Sequence, residues 1–418
     1  MIVGKELGSG GQGSVYLVKY NGKPKALKWF HIKKQLMSQE FRDNLKKNIM
    51  DGSPDPRFIW PLDMTDDYQG SYGYIMDLKP EGYYELTDFL TLNVCFKSFK
   101  QAVDACLNIV ASFRNLHNKG YSYQDLNDGN FFIDPDTGRV LIADNDNVAP
   151  DKTTTGILGK ARFMAPEIVL RTNMPDVHSD RYSMAVIIFL CLCLNHPLEG
   201  KRTLSTIMTD QYARHIYGSD AKFIMDPEPN PNGAVERIHS NVLSVWPYLP
   251  TFVRQTFLRA FSEDALKIPQ KRLTEIEWIQ MLVRLRSSIV SCQCGNQVFV
   301  DDGQSETVCD NCGKIVRIRH FLDLGSYKLP AIWDTRLYKC QTGVFDADEA
   351  LEPVAHIIVM DKENRKLGIR NLTKSEWNAV TSHGRERTVK PGDMIPLVDR
   401  VKFKVNDIDI VIREMKEE

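Results

Sequence analysis

Residues 121–146, YSYQDLNDGNFFIDPDTGRVLIADND, constrain the fold more than any other stretch. The order is loop, strand, turn, strand. Asp125 lies in a polar loop, and Asn130 follows five residues later. Phe131, Phe132 and Ile133 make a short apolar strand. Residues 134–138, DPDTG, spell a turn, because proline presets φ and glycine accepts positive φ. Residues 140–143, VLIA, form a second strand that delivers Asp144. Such a hairpin brings Asp125, Asn130 and Asp144 to one end of the strand pair. Two carboxylates and an amide placed there can orient a hydroxyl and hold Mg2+, which prefers hard oxygen ligands. The composition also suits a plain β-hairpin with acidic turns, so this segment alone leaves both readings open.

Two other segments narrow the choice. Gly8, Gly10, Gly13 and Val15 complete a G-x-G-x-x-G-x-V pattern, and Ala26-Leu27-Lys28 ends an apolar run fifteen residues after Gly13. The order glycine turn, A-x-K strand, then Asp…Asn…Asp matches the protein-kinase signature set. Over roughly its first 285 residues the chain resembles a eukaryotic-like (Hanks-type) bacterial Ser/Thr protein kinase. Asp144-Asn145-Asp146 in place of Asp-Phe-Gly, and a cysteine-rich segment after the kinase, are similar to a bacterial family encoded with a PP2C phosphatase and a von Willebrand A protein in tellurite-resistance-type clusters. The resemblance implies transfer of the γ-phosphate of ATP, with Mg2+ or Mn2+, to Ser or Thr of protein substrates. It also implies autophosphorylation and signalling with those two partner proteins.

At 418 residues two or three domains are expected. A net charge of −1 supplies no field that would favour nucleic acid or an anionic membrane, so neither is expected as a partner. The longest apolar run, residues 184–194, is 11 residues and too short to span a bilayer. The N-terminal residues lack the basic-then-apolar form of a signal peptide, so a cytoplasmic protein is expected. Nine cysteines, scattered except for one cluster at 292–312, favour a reducing compartment with one metal site.

Residues 2–30 read as three strands, with Asn21-Gly22 as a hairpin turn. The glycine turn allows backbone amides to approach phosphate oxygens closely. By resemblance Val15 and Ala26 cover the adenine, Phe132 lies beneath it, Met76 is the gatekeeper, and Asp77-Leu78 offers hinge backbone. Lys28 would neutralise the α/β-phosphates, although a surface lysine at a strand end has the same composition. Residues 34–49 carry a helical pattern, and the acid expected to pair with Lys28 falls on Glu40, with Asp43 as rival. By the same resemblance Asp125 would accept or orient the substrate proton, while Asn130 and Asp144 would ligate the metal. Residues 96–117 form a core helix that Gly120 ends. Asp180 fits an N-terminal cap of the following apolar helix and, by resemblance, braces the catalytic loop. Glu167, in Ala-Pro-Glu, should pair with Arg272. Residues 195–250, with the turn-rich run 227–233 that includes Glu228, read as an irregular insert.

The usual His-Arg-Asp is Tyr123-Gln124-Asp125. The missing arginine normally clamps a phosphate on the activation loop, so activity independent of phosphorylation at the candidate sites Thr153, Thr154 and Thr155 is expected. Lys160 stands where Ser/Thr kinases carry threonine, and it reads either as a cation near the γ-phosphate or as a surface lysine. Asn145 cannot form the apolar plug that phenylalanine supplies, and Asp146 reads as a second acid behind the metal site or as a turn residue.

Cys292, Cys294, Cys309 and Cys312 spell two knuckles, each followed by glycine, and four thiolates suit tetrahedral Zn2+. The first knuckle is one residue shorter than the second. A hairpin between the knuckles, carrying residues 298–300, would complete a zinc ribbon. From about residue 316 short strands separated by turn signals argue a small β-sandwich, similar to a forkhead-associated domain at Leu367-Gly368-Ile369-Arg370. The expected architecture is α+β: a bilobal kinase fold at 1–288 (N-lobe 1–76, C-lobe 79–288), a zinc ribbon at 289–316 and a β-sandwich at 317–418. The competing reading is a nucleotide-binding, pseudokinase-like scaffold, to which Gln124, Asn127 and Asn145 lend weight.

Overall fold

The computed structural model describes residues 2–156, 159–204, 207–227, 229–345, 349–361, 363–364 and 366–415; Glu228 of the insert lies outside them. The chain divides into two compact units: Met1–Lys97, Asp104–Leu243 and Phe257–Glu275, and Ser98–Val103, Ser244–Thr256 and Ile276–Glu418.

The first unit opens with an antiparallel sheet of β1 (Ile2–Ser9), β2 (Gly13–Tyr20), β3 (Lys23–Phe30), β4 (Asp63–Met64) and β5 (Gly73–Met76), in the order β1-β2-β3-β5-β4. Asn21 and Gly22 both take positive φ (47° and 78°), as a tight hairpin turn between β2 and β3 requires. That turn fixes the register in which Val15 faces Lys28; on the other side of β3, Ala26 faces Met76 of β5. Gly13 is obligatory for packing, since a Cβ there would lie 2.3 Å from the Trp29 carbonyl oxygen.

Helix α1 runs over Gln39–Asp51, starting later than the expected 34–49 because the Ser38 hydroxyl caps it, accepting from the Phe41 amide at 3.2 Å. Its buried face, Phe41, Leu45 and Asn48, packs on the sheet beside Phe30, Tyr72 and Tyr74.

Further along, Phe131–Ile133 pairs antiparallel with Val140–Ile142 on one side and Tyr84–Glu85 on the other, so the expected hairpin forms. The Asp134 side chain ties its turn, accepting from the Asp136 amide at 2.9 Å and the Thr137 hydroxyl at 2.6 Å. The apolar helix is Val177–Cys193, and Asp180 is not its cap. Asp176 caps it, accepting from the Ser179 amide at 2.8 Å, while the Ser179 hydroxyl accepts from the Asp176 amide at 2.9 Å. That places Asp180 one turn inside the helix, free to point elsewhere.

The second unit does not begin at residue 289. Arg284 stacks 4.0 Å from the centre of the Phe252 ring and 4.5 Å from that of Tyr327. Phe99 meets Phe299 edge-on at 5.0 Å, and the Thr251 amide donates to Asp301 at 2.8 Å. These contacts gather Ser98–Val103 and Ser244–Thr256 with the chain after Glu275.

Each cysteine knuckle is itself the turn of a hairpin, Ile289–Ser291 with Gln297–Phe299 and Glu306–Val308 with Ile315–Arg317, rather than the two knuckles flanking one. Beyond them, sheets of six and four strands enclose one apolar core that includes Leu322, Ile357, Ile369, Trp377, Phe403 and Ile412. Among the described residues, no helix is long and apolar enough to cross a membrane.

Candidate active site

The catalytic loop hangs from Asp180. Its carboxylate accepts from the Tyr123 amide at 2.6 Å and the Gln124 amide at 3.1 Å, and it receives His117 Nε2 at 3.1 Å. Gln124 sits at φ 72°, a left-handed conformation that these bonds stabilise. Behind this anchor lies a buried charge cluster that sequence reading took for plain core. His117 Nδ1 lies 2.9 Å from Glu275 Oε1, and Arg181 grips Glu275 at 2.7 and 3.0 Å. Burial opposes a charged His117, but bonds from Asp180 and Glu275 override it and raise its pKa to about 9. Burial likewise opposes a charged Glu275, yet His117 and Arg181 hold it down at about 2. The only linear signal for this cluster is a polar residue at the end of an apolar helix face.

Downstream of the anchor, Asn130 Nδ2 donates to the Asp125 carbonyl at 2.7 Å and to the Tyr123 hydroxyl at 3.1 Å, leaving Oδ1 as its possible ligand atom. The Asn130 carbonyl accepts from the Ala143 amide at 2.9 Å, which stitches the loop to the strand carrying Asp144. Asp144 turns left-handed at φ 56° and ψ 47°, and its Oδ1 lies 3.2 Å from Lys28 Nζ. The Asp125 carboxylate receives Asn147 Nδ2 at 3.3 Å and Asn127 Nδ2 at 3.4 Å. Burial, then the nearby Asp144 and Asp146, push its pKa up to about 6. A Cβ on Gly159 would stand 2.7 Å from Asp125 Oδ1, so any other residue there would push the carboxylate aside.

Lys28 is buried and bound on several sides. Its ammonium donates to Asp146 at 2.9 and 3.1 Å, to Asp144 at 3.2 Å and to Gln12 Oε1 of the glycine turn at 3.2 Å. Burial works against that charge, but Asp144 and then Asp146 hold the lysine above its ordinary pKa. Glu40 is not its partner. It is exposed in the first turn of α1, a position where a carboxylate favours the helix dipole. The rival Asp43 is exposed as well and accepts from Gln39 at 2.7 Å.

Ala26 and Met76 are buried, and Val15, Leu78 and Phe132 pack against the same apolar cluster, which flanks the strand carrying the lysine. The Asp77 side chain turns away to pair with Lys25. Gly8 and Gly10 leave open space where a side chain would stand.

At Thr153 the activation segment is tied to the loop before Asp125 by an amide rather than by an arginine. Gln124 Nε2 donates to the Thr153 carbonyl at 2.8 Å, and the Thr153 hydroxyl donates to the Pro150 carbonyl at 2.6 Å. Lys160 pairs with Asp128 at 3.3 Å. Arg272 meets Glu167 through two parallel bonds of 2.7 and 2.6 Å.

A sequence profile described as the protein kinase domain matches residues 1–277. This chain belongs to the protein kinase family. The chain is 29% identical over 204 residues to a probable cAMP-dependent protein kinase catalytic subunit of Encephalitozoon cuniculi, covering 46% of this chain and 60% of that protein. It is 30% identical over 173 residues to CDPK-related kinase 5 of Arabidopsis thaliana, covering 40% and 23%. It is also 25% identical over 315 residues to protein kinase YegI of Escherichia coli K12, covering 69% and 45%. The chain thus spans 60% or less of the length of these curated relatives. Gln12 of the glycine turn, Lys28, Asp144 and Asp146 stand together, and the lysine's second carboxylate comes from Asp146 instead of α1.

In the second unit, the sulfurs of Cys292, Cys294, Cys309 and Cys312 lie within 4.8 Å of one another. The Cys292–Cys312 and Cys294–Cys309 separations are 3.6 and 3.7 Å. A disulfide needs about 2.05 Å. Four sulfurs about 2.3 Å from a tetrahedral centre are roughly 3.8 Å apart, so the cage fits a zinc-sized ion.

Proposed function

We propose that this chain is an ATP- and Mg2+-dependent protein kinase that transfers the γ-phosphate to Ser or Thr hydroxyls of protein substrates, autophosphorylates, and signals with a PP2C phosphatase and a von Willebrand A protein. The observation that carries the reading is the convergence of Lys28 and Asp144 at 3.2 Å, beside an Asp125 that Asn147 reaches from the same loop.

Lys28 neutralises the α/β-phosphates beneath the turn of Gly8, Gly10 and Gly13. The slot of Val15, Ala26, Met76, Leu78 and Phe132 takes the adenine, with Asp77-Leu78 backbone at its edge. Asp125, with a pKa raised to about 6, accepts or orients the proton of the incoming hydroxyl. Mg2+ held by the Asn130 amide oxygen and the Asp144 carboxylate supplies charge neutralisation on the transferring phosphoryl group. Positioning in line supplies most of the rest.

The four-cysteine cage is read as a structural Zn2+ ribbon at 289–316, since no ligand position is left open for catalysis. The two-sheet module at 317–418 is read as a forkhead-associated-like docking domain. The five cysteines outside the cage, Cys95, Cys106, Cys191, Cys193 and Cys340, are thiols, which supports a reducing, cytoplasmic setting.

Incubation with radiolabelled ATP, Mg2+ and a generic Ser/Thr substrate, comparing wild type with Asp125→Ala, tests the reading. Label incorporation that requires Asp125 supports it. Equal incorporation with ATP still bound would assign the chain to the scaffold reading instead.

A further inference from the structure

The geometry points to Asp146 as the residue that positions Lys28 for nucleotide, in the place that a helix-borne acid would otherwise hold. Resting on the kinase reading above, it moves the lysine's anchor from α1 to the metal-binding turn. Asp146 is fully buried, and both its oxygens accept from Lys28 Nζ, at 2.9 and 3.1 Å, across 118 residues of sequence. The Tyr74 hydroxyl donates to the same carboxylate at 3.1 Å. A buried carboxylate with no cation would be costly, and Lys28 is the cation it meets.

The inward face of α1 shows the complementary change. It carries amides rather than acids: Asn44 and Asn48 both donate to the Val148 carbonyl, at 2.8 and 2.7 Å. The helix is therefore tied to the backbone two residues beyond Asp146, with no charge offered to the lysine. Between the two aspartates, Asn145 is itself buried and donates to the carbonyls of Ile59 and Ile142 at 2.8 and 3.0 Å. Asp144 and Asp146 thus sit on one pinned turn that holds both the metal-ligand carboxylate and the lysine's counter-charge. Lysine placement and metal placement follow from a single local structure, and a swing of α1 has no ion pair to break.

The test uses the full chain and three variants, Asp146→Asn, Asp146→Glu and Glu40→Gln. MgATP affinity is measured by calorimetry, kcat and KM for ATP by label transfer, and Tm for each protein. Asp146→Asn should weaken MgATP binding and lower kcat/KM for ATP by about 10- to 100-fold, the loss typical when a group that orients a ligand-contacting residue is removed. Asp146→Glu should recover part of the loss, and Glu40→Gln should match wild type. A purely structural role would lower Tm while leaving the affinity and kcat/KM of the folded protein unchanged, and that result overturns the inference. So does a comparable loss in Glu40→Gln. If wild type transfers no label, the kinase reading fails, whereas the affinity measurements still decide the role of Asp146.

Discussion

Arg272 clasps Glu167 through parallel bonds, Nη1 to Oε1 at 2.7 Å and Nη2 to Oε2 at 2.6 Å, across 105 residues of sequence. The same guanidinium donates to the carbonyls of Ala265 and His178, so Arg272 holds the Ala-Pro-Glu segment by two bonds and is itself held to the helical part of the first unit by two more. Removing the arginine strands a carboxylate that is only 12% exposed. Arg272→Ala should cost about 3–5 kcal/mol of stability, and Arg272→Lys, which cannot make the fork, should recover only part. Urea unfolding of the three proteins checks this; a loss below about 1 kcal/mol would mean that the pair is solvated in solution.

Gln124 holds the Thr153 carbonyl at 2.8 Å, in the place where a phosphate-clamping arginine is usual. A neutral amide bonded to backbone has no use for a phosphate. Replacing Thr153, Thr154 and Thr155 together by alanine should leave turnover unchanged, and glutamates there should not raise it. Loss of activity in the alanine protein with restoration by glutamate would show that the loop is switched by phosphorylation after all.

His117 links stability to pH. Its folded pKa of about 9 lies above the ordinary 6.5, so charged His117 contributes stability that is full below about pH 6.5 and is lost as pH rises through about 9. The groups facing it are Asp180 and Glu275, with Arg181 on the far side of Glu275. Glu275 has the opposite sign: its folded pKa of about 2 lies below 4.5, so its contribution is present above about pH 4.5 and lost as pH falls through about 2. Unfolding free energies of wild type and His117→Gln, measured from pH 6 to pH 9.5, should converge by about 3 kcal/mol over that range. Parallel curves would rule the linkage out.

Four sulfurs within 4.8 Å predict about one zinc per chain in protein purified without chelator. Stripping the metal, or Cys309→Ser, should abolish cooperative folding of the knuckle hairpins, because a segment this small buries too little apolar surface alone. Label transfer by the kinase domain should survive to the extent that the first unit folds. A metal content near zero in cleanly prepared, folded protein would remove the ion from the account.

The arrangement of the first three strands was legible in the chain because it is local. The glycine turn, the Asn21-Gly22 hairpin and the β3 lysine lie within thirty residues, and turn chemistry fixes their register. The same holds for Asp125, Asn130 and Asp144, which one hairpin and its loop deliver. Arg272 with Glu167 was found at long range, through motif order. The ionic cluster at His117 was not, since a histidine on an apolar helix face reads as core until its neighbours are known. Nor was the extent of the second unit, which depends on Arg284 stacking on Phe252 and Tyr327.

The linear sequence by itself determined which groups the chain carries and in what order: a glycine turn, Lys28, Asp125, and the paired acids Asp144 and Asp146. Only the tertiary structure decided which carboxylate the lysine keeps. Glu40 is twelve residues from Lys28 and Asp146 is 118 away, yet the Ser38 cap sets the phase of α1 so that Glu40 faces water, while the pinned Asp144–Asp146 turn carries its second acid into the interior. Helix phase and burial, not separation along the chain, choose the partner of a buried charge.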